Sequence, residues 1–200
     1  MDRPRGGYHH GDLRAALIAA AEETLAENGV EDFSLRRVAK RVGVSHSAPA
    51  HHFGDAQGLL CALAAEGFRR FRAAMLARQV AAPPDAMAQL VASGLGYLDF
   101  AETAPALFTL MFASERTRPG TPELAEAGEA AFHVLTDAIE GLRGVSPFED
   151  EGAMADVIAC WSMAHGFAEL LLAGRMVRVG ALAKPEREAL FSRMIERVVG

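Results

Sequence analysis

The sequence predicts an all-α fold, and three observations lead to it. Apolar residues recur three and four apart, as at Leu90, Val91, Gly94, Leu95 and Leu98, which is the spacing of one helical face. Pro and Gly cut the chain into helix-length segments. No sustained period-two alternation bounded by turn residues argues for strands. With 200 residues and 50% hydrophobic content, the chain can bury a sizeable core, and disorder is excluded.

A first helix is expected over about 11–28, with Leu13, Leu17, Ala20, Ala21, Thr24 and Leu25 on one face and Gly29 ending it. A second follows Ser34, whose hydroxyl suits an N-cap. It turns Leu35, Val38, Ala39 and Val42 inward and Arg36, Arg37, Lys40 and Arg41 outward. Gly43-Val44 makes a tight turn, after which Ser45 is positioned to cap a short third helix reaching His52 or Phe53. Pro49 falls in that helix's first turn, where a missing N–H costs least. A long helix over 59–80 is stopped by Pro83-Pro84, and helices follow over 85–103, 106–114, 122–144, 150–175 and 185–199. The segment 150–175 is apolar nearly all round, so it should be covered on two sides. Its own core accounts for one side and a second subunit for the other. The last helix would complete a dimeric four-helix bundle, with Leu171 and Phe191 as candidate contacts.

Several function classes drop out. There is no HExxH, GxSxG, phosphate-cradling glycine loop or pair of helical carboxylates, so no catalytic residue and no cofactor is expected. Cys61 and Cys160 belong to no CxxC or Cys/His cluster, and the tandem His9-His10 lacks further ligands, so neither a disulfide framework nor a metal site is signalled. No apolar run approaches the roughly 18 residues of a membrane span, and no signal-peptide pattern opens the chain. A cytoplasmic protein with no membrane partner is therefore expected.

The net charge of −6 opposes binding to a polyanion, but its distribution does not. Between Ser34 and Phe53 lie four cations, three histidines and no acidic residue. Helix, glycine turn, helix is the helix-turn-helix arrangement, whose second helix enters the major groove while the first crosses the backbone. His46, Ser47 and Ala48 are then candidate base readers, with His51 and His52 nearer the helix end.

The segment 34–60, SLRRVAKRVGVSHSAPAHHFGDAQGLL, resembles the helix-turn-helix of TetR-family regulators, and the preceding YHHGDLRAALIAAAEETLAENG resembles that family's first helix. The resemblance implies a transcription regulator, most often a repressor, that binds double-stranded DNA at a palindromic operator as a homodimer and is released by a small effector. It implies phosphate contacts for Ser45 and His52. Two positions depart from the family: Ala50 stands where Tyr is common and Ala56 where Lys is common, and both usual side chains touch the DNA backbone. Arg3 and Arg5 on the N-terminal arm, with Arg36, Arg37 and Lys40, are candidates to replace those contacts.

The expected division is a DNA-binding domain over 1–56 and a helical regulatory and dimerisation domain over 57–200. In WSMAHGFAELLLAGR, residues Trp161, His165 and Gly166 resemble the Trp-His-Gly signature of one TetR subgroup. Trp161 and His165 share a helix face and can line one cavity or one interface, or pack as plain core. Phe100, Phe108, Met111, Phe112 and Phe132 are candidate walls for a small, mostly apolar effector, and serve equally as core. The rival reading is a helical ligand-binding or dimeric interaction module whose DNA binding is weak or lost.

Overall fold

The computed structural model describes residues 10–113, 115–118 and 120–200. Arg3 and Arg5 lie outside them. Among the described residues there are ten α-helices and no strand: α1 (His10–Asn28), α2 (Leu35–Val42), α3 (Ala48–Phe53), α4 (Ala56–Ala81), α5 (Ala86–Thr103), α6 (Pro105–Ala113), α7 (Pro122–Arg143), α8 (Glu151–Leu172), α9 (Val177–Gly180) and α10 (Lys184–Val199). A 3-10 turn, Glu115–Thr117, precedes α7. The single-turn α9 and this 3-10 turn carry too few residues for a periodic signal, and the sequence reading passed over both.

Most helix starts follow from caps. Asp85, Thr121 and Asp150 each accept from the backbone N–H three residues on, at 2.9, 3.2 and 2.8 Å, which fixes the first turns of α5, α7 and α8. Asp55 does the same for Gly58 at 2.8 Å. The long helix therefore starts at Ala56 rather than at Leu59, where its unbroken apolar run begins. The cap expected from Ser45 is a correction. Ser47 occupies the N-cap position of α3 without a side-chain cap bond, and Ser45 contributes its carbonyl, which accepts from Ala48 N at 3.0 Å.

One buried cluster runs from Leu17 and Val38 in the N-terminal unit through Leu60 and Leu63 of α4 to Phe108, Val157 and Phe191 in the bundle. Helix α4 packs against α1, α3, α5, α6 and α7. Its crossing with α5 is close: a Cβ added at Gly96 would sit 2.5 Å from Met75 Cα and 2.6 Å from the Ala74 carbonyl oxygen. Ion pairs fasten the far end, where Arg78 of α4 meets Asp99 of α5 at 2.5 Å and Glu188 of α10 at 2.6 Å, and Arg187 meets Glu102 at 2.8 Å.

Helix α8 has the length and composition of a membrane span, yet its apolar residues divide between two faces. Val157, Cys160, Ala164 and Phe167 face the core, while Ile158 and Leu170, each 48% exposed, lie outside it. Phe191 corrects the expected subunit contact: it is 0% exposed and packs on Phe167, with ring centroids 5.2 Å apart, inside its own protomer. Leu171 is half-buried.

Gly96→Ala should lower stability by about 1–3 kcal/mol, because backbone atoms of α4 cannot yield as a flexible side chain can. Urea denaturation with an unchanged midpoint would show that the α4–α5 crossing has slack.

Candidate nucleic-acid interface and apolar cavity

Helix α2 is held at both ends by local chemistry. Ser34 Oγ accepts from Arg37 N at 3.4 Å. At the other end Gly43 adopts φ 76°, so its N–H and that of Val44 bond back to Lys40 and Ala39 carbonyls at 3.3 and 3.0 Å. Val38 and Ala39 are buried beneath, and Arg36, Arg37, Lys40 and Arg41 are exposed. These four cations are not equivalent. Arg41 folds back onto α1, pairing with Glu23 at 2.8 Å and also with Glu27. Arg37 donates to Asn28 Oδ1. Arg36 and Lys40 carry no ion pair among the described residues.

After the turn, His46, Ser47, Ala50 and His51 are exposed, Ser45 Oγ lies 3.2 Å from Ser47 Oγ, and Pro49 is buried in the first turn of α3. Ala48 is half-buried, and His52 is half-buried beside Phe53 at 6.0 Å between ring centroids. Phe53 in turn carries the Arg14 guanidinium over its face at 5.4 Å. The structure thus brings Arg36, Lys40, Ser45, His46, Ser47 and His51 together as one exposed surface formed by α2, the turn and α3.

A partly open cavity of about 420 Å³ lies among the bundle helices. Its aromatic wall comes from Phe68 and Phe71 of α4, Tyr97 of α5, Phe112 of α6, Phe132 of α7 and Trp161 of α8. No residue lining it carries a formal charge. Polar atoms are few. Ser93 Oγ donates to the Leu90 carbonyl at 2.7 Å, and Cys160 contributes a thiol. The Tyr97 hydroxyl lies 2.7 Å from His165 Nδ1. Burial raises the Tyr97 phenol well above its ordinary value, with the Trp161 side chain within hydrogen-bonding reach of it. Burial likewise pushes the Cys160 thiol up to about 11.

A family model described as "Bacterial regulatory proteins, tetR family" matches residues 17–63, and one described as "Tetracyclin repressor-like, C-terminal domain" matches residues 90–198. The chain belongs to the TetR family. Its members are DNA-binding transcription regulators and not enzymes. The "HTH-type transcriptional regulator BetI" of Burkholderia cenocepacia (strain HI2424) is 30% identical over 182 residues, covering 80% of this chain and 94% of the relative. The "HTH-type transcriptional repressor AcnR" of Corynebacterium glutamicum is 39% identical over 57 residues, 28% of this chain and 30% of the relative. Among solved structures, a protein of unknown function from Rhodococcus sp. RHA1 superposes with a TM-score of 0.79 at 32% identity over 98% of both chains. A TetR family transcription regulator from Marinobacter aquaeolei VT8 gives 0.66 at 19% identity, covering 92% of this chain and 94% of that one.

Within this TetR-family chain the residues suggested by sequence as cavity walls separate into two groups. Phe112, Phe132 and Trp161 line the cavity. Phe100 and Phe108 are buried core, Met111 sits over Gly67 of α4, and His165 stands behind Tyr97, 5.5 and 5.1 Å from the Phe108 and Phe112 rings. Tyr97 was missed, although a phenol in the otherwise apolar run Gly94–Leu98 is a polar group that needs a partner when buried. Glu123 was missed as well and had no local signal. From the first turn of α7 it pairs with Arg14 of α1 at 3.0 Å and Arg69 of α4 at 2.7 Å.

The raised Cys160 value has a consequence with a definite sign. A thiol whose folded pKa exceeds its unfolded one keeps its full contribution below the unfolded value, and loses it as pH rises through the folded one. Stability should therefore fall between roughly pH 9 and the Cys160 value of about 11. The fall should be shallower in Cys160→Ala; denaturation curves with equal pH slopes would remove this assignment.

Proposed function

We propose that the chain is a homodimeric repressor in which residues 1–56 place α3 in the major groove of a palindromic operator. Residues 57–200 pair the subunits and hold a small apolar effector that lowers operator affinity. The observation that carries this reading is the exposed α3 set beside an α2 whose Arg36 and Lys40 have no ion pair among the described residues. Those cations are free to meet phosphates, and the TetR-type family match supports the same placement. In this reading His46, Ser47 and Ala48 meet base edges, with His51 and His52 toward the helix end. Ser45 and Arg37 add backbone contacts, and Arg3 and Arg5 extend to the minor groove. Such a protein works in the cytoplasm. Exposed Ala50 favours a second reading, a ligand-binding module with weak DNA affinity.

Operator duplex selected from random sequence, titrated by fluorescence anisotropy across salt, separates the two. The repressor reading expects tight binding. It also expects the log–log salt slope to fall by about 0.9 per lost phosphate contact in Arg36→Ala and Lys40→Ala, with no such change in Arg41→Ala. A slope indifferent to Arg36 and Lys40, or no selected sequence at all, would favour the module.

Subunit pairing is assigned to the outer side of α8, which carries the exposed Leu170 and Ile158, the latter about one turn from Trp161 at 39%, together with α10. Ile158→Glu or Leu170→Glu should sediment as a folded monomer with much weakened operator binding. A folded variant that stays dimeric places the interface elsewhere.

Coupling between the halves is supported by a chain of contacts. Phe132 of α7 lines the cavity, Glu123 at the start of α7 holds Arg14, and Arg14 covers Phe53 at the end of α3. Nearby, Gln57 Nε2 donates to the Arg118 carbonyl at 2.7 Å, and an Arg116 N–H donates to the Val30 carbonyl at 3.0 Å. An effector that shifts α7 acts on α3 through these contacts, and the operator weakens effector binding by the same factor. Glu123→Gln should shrink that factor while changing effector-free operator affinity less. Retention of the full factor would rule out this route.

A further inference from the structure

We propose that the cavity takes an uncharged, mainly apolar molecule bearing one hydroxyl or carbonyl group, which docks on the phenol of Tyr97 with His165 as the positioning residue behind it. This inference rests on the reading above that the cavity is the effector site.

The wall decides the charge. None of the residues lining the 420 Å³ space is ionised, so an anion would find no Lys or Arg and would lose its hydration without return. Glu169, whose charge is felt at the Tyr97 phenol, opposes an anion further. A cation could be drawn to aromatic faces, but these rings are turned onto one another. Phe71 meets Tyr97 edge to face at 4.7 Å and 83°, and Phe68 meets Phe112 at 5.4 Å and 76°. Their faces are partly covered by neighbouring ring edges rather than aimed together at one point.

The polar atoms decide the orientation. Ser93 spends its proton on the Leu90 carbonyl, and a thiol is a weak partner. Tyr97 keeps capacity in either arrangement with His165, 2.7 Å away. If the phenol donates to Nδ1, its oxygen still has a lone pair for a ligand hydroxyl beside the Trp161 indole N–H that also reaches it. If Nδ1–H donates to the phenol, the phenolic proton points to a ligand carbonyl or hydroxyl oxygen. Burial keeps the phenol protonated, so it remains a donor. A single neutral polar group on an apolar body is what this wall can satisfy completely.

Trp161 is the only tryptophan of the chain and stands in the wall, so its fluorescence reports occupancy of this space. The full-length protein is titrated with cyclohexyl, naphthyl and decyl skeletons, each as hydrocarbon, alcohol, carboxylate and trimethylammonium ion, by calorimetry and, for the non-fluorescent skeletons, Trp161 emission. On the skeletons that bind, the alcohol should exceed the hydrocarbon by about three- to tenfold, the worth of one net hydrogen bond. Both ions should bind at least about tenfold more weakly than the alcohol, as expected for an unpaired charge in an apolar site. Tyr97→Phe should abolish the advantage of the alcohol and leave hydrocarbon binding intact. His165→Ala should reduce that advantage, and His165→Asn, which returns an amide near the Nδ1 position, should restore it. Equal binding of either ion, or a Tyr97→Phe protein that still prefers the alcohol, would overturn the proposal. If no skeleton binds the folded protein in any form, the effector reading of the cavity falls, and this inference with it.

Discussion

The N-terminal unit cannot enclose its own apolar surface. Helices of 19, 8 and 6 residues make too small a body to bury a self-sufficient core, and α4 supplies what they lack. From Leu59 to Ala65 seven consecutive residues of α4 are buried, so this stretch is covered all round. The same helix then sends Phe68 and Phe71 into the wall of the cavity. One rigid element is thus core for the small unit and wall for the large one, and neither part can be repositioned without the other registering it. The close crossing at Gly96 meets α4 at Ala74 and Met75, about one turn beyond Phe71, and fixes how α5 lies on α4.

Charge is allocated with the same economy. An acidic chain needs its few cations in the right places. The α2 cluster divides between Arg41, which ties α2 to the α1 carboxylates of Glu23 and Glu27, and the exposed Arg36 and Lys40, which carry no ion pair among the described residues. These exposed pairs contribute little to stability individually. Their value lies in geometry: they set which cations are spent inside the protein and which stay available. Glu123 does comparable work from α7, holding two arginines from two other helices.

Inside the bundle, the cavity and the α8 surface share Trp161, which lines the first and is partly exposed at the second. A helix apolar nearly all round meets both demands, core on one side and an uncovered face on the other. In the proposed dimer, the partner subunit would cover a residue that also touches the effector.

The sequence by itself determined the helices and the reading motif. Caps, prolines and three-four spacing are local chemistry, so Ser34, Gly43 and Pro49 announced their roles within a few residues of where they act. The boundaries that slipped, Ser45 against Ser47 and Leu59 against Ala56, lie where two local signals compete over three residues. Tertiary structure alone decided which buried aromatics face empty space and which face each other. Phe108 and Phe112 are one helical turn apart, yet only Phe112 meets the cavity. It also decided that Phe191 belongs to its own core, that Tyr97 finds His165, and that Arg14 finds Glu123 across 109 positions. Such partners are set by the angles at which helices cross, and a helical period records which face is apolar without recording what that face will meet.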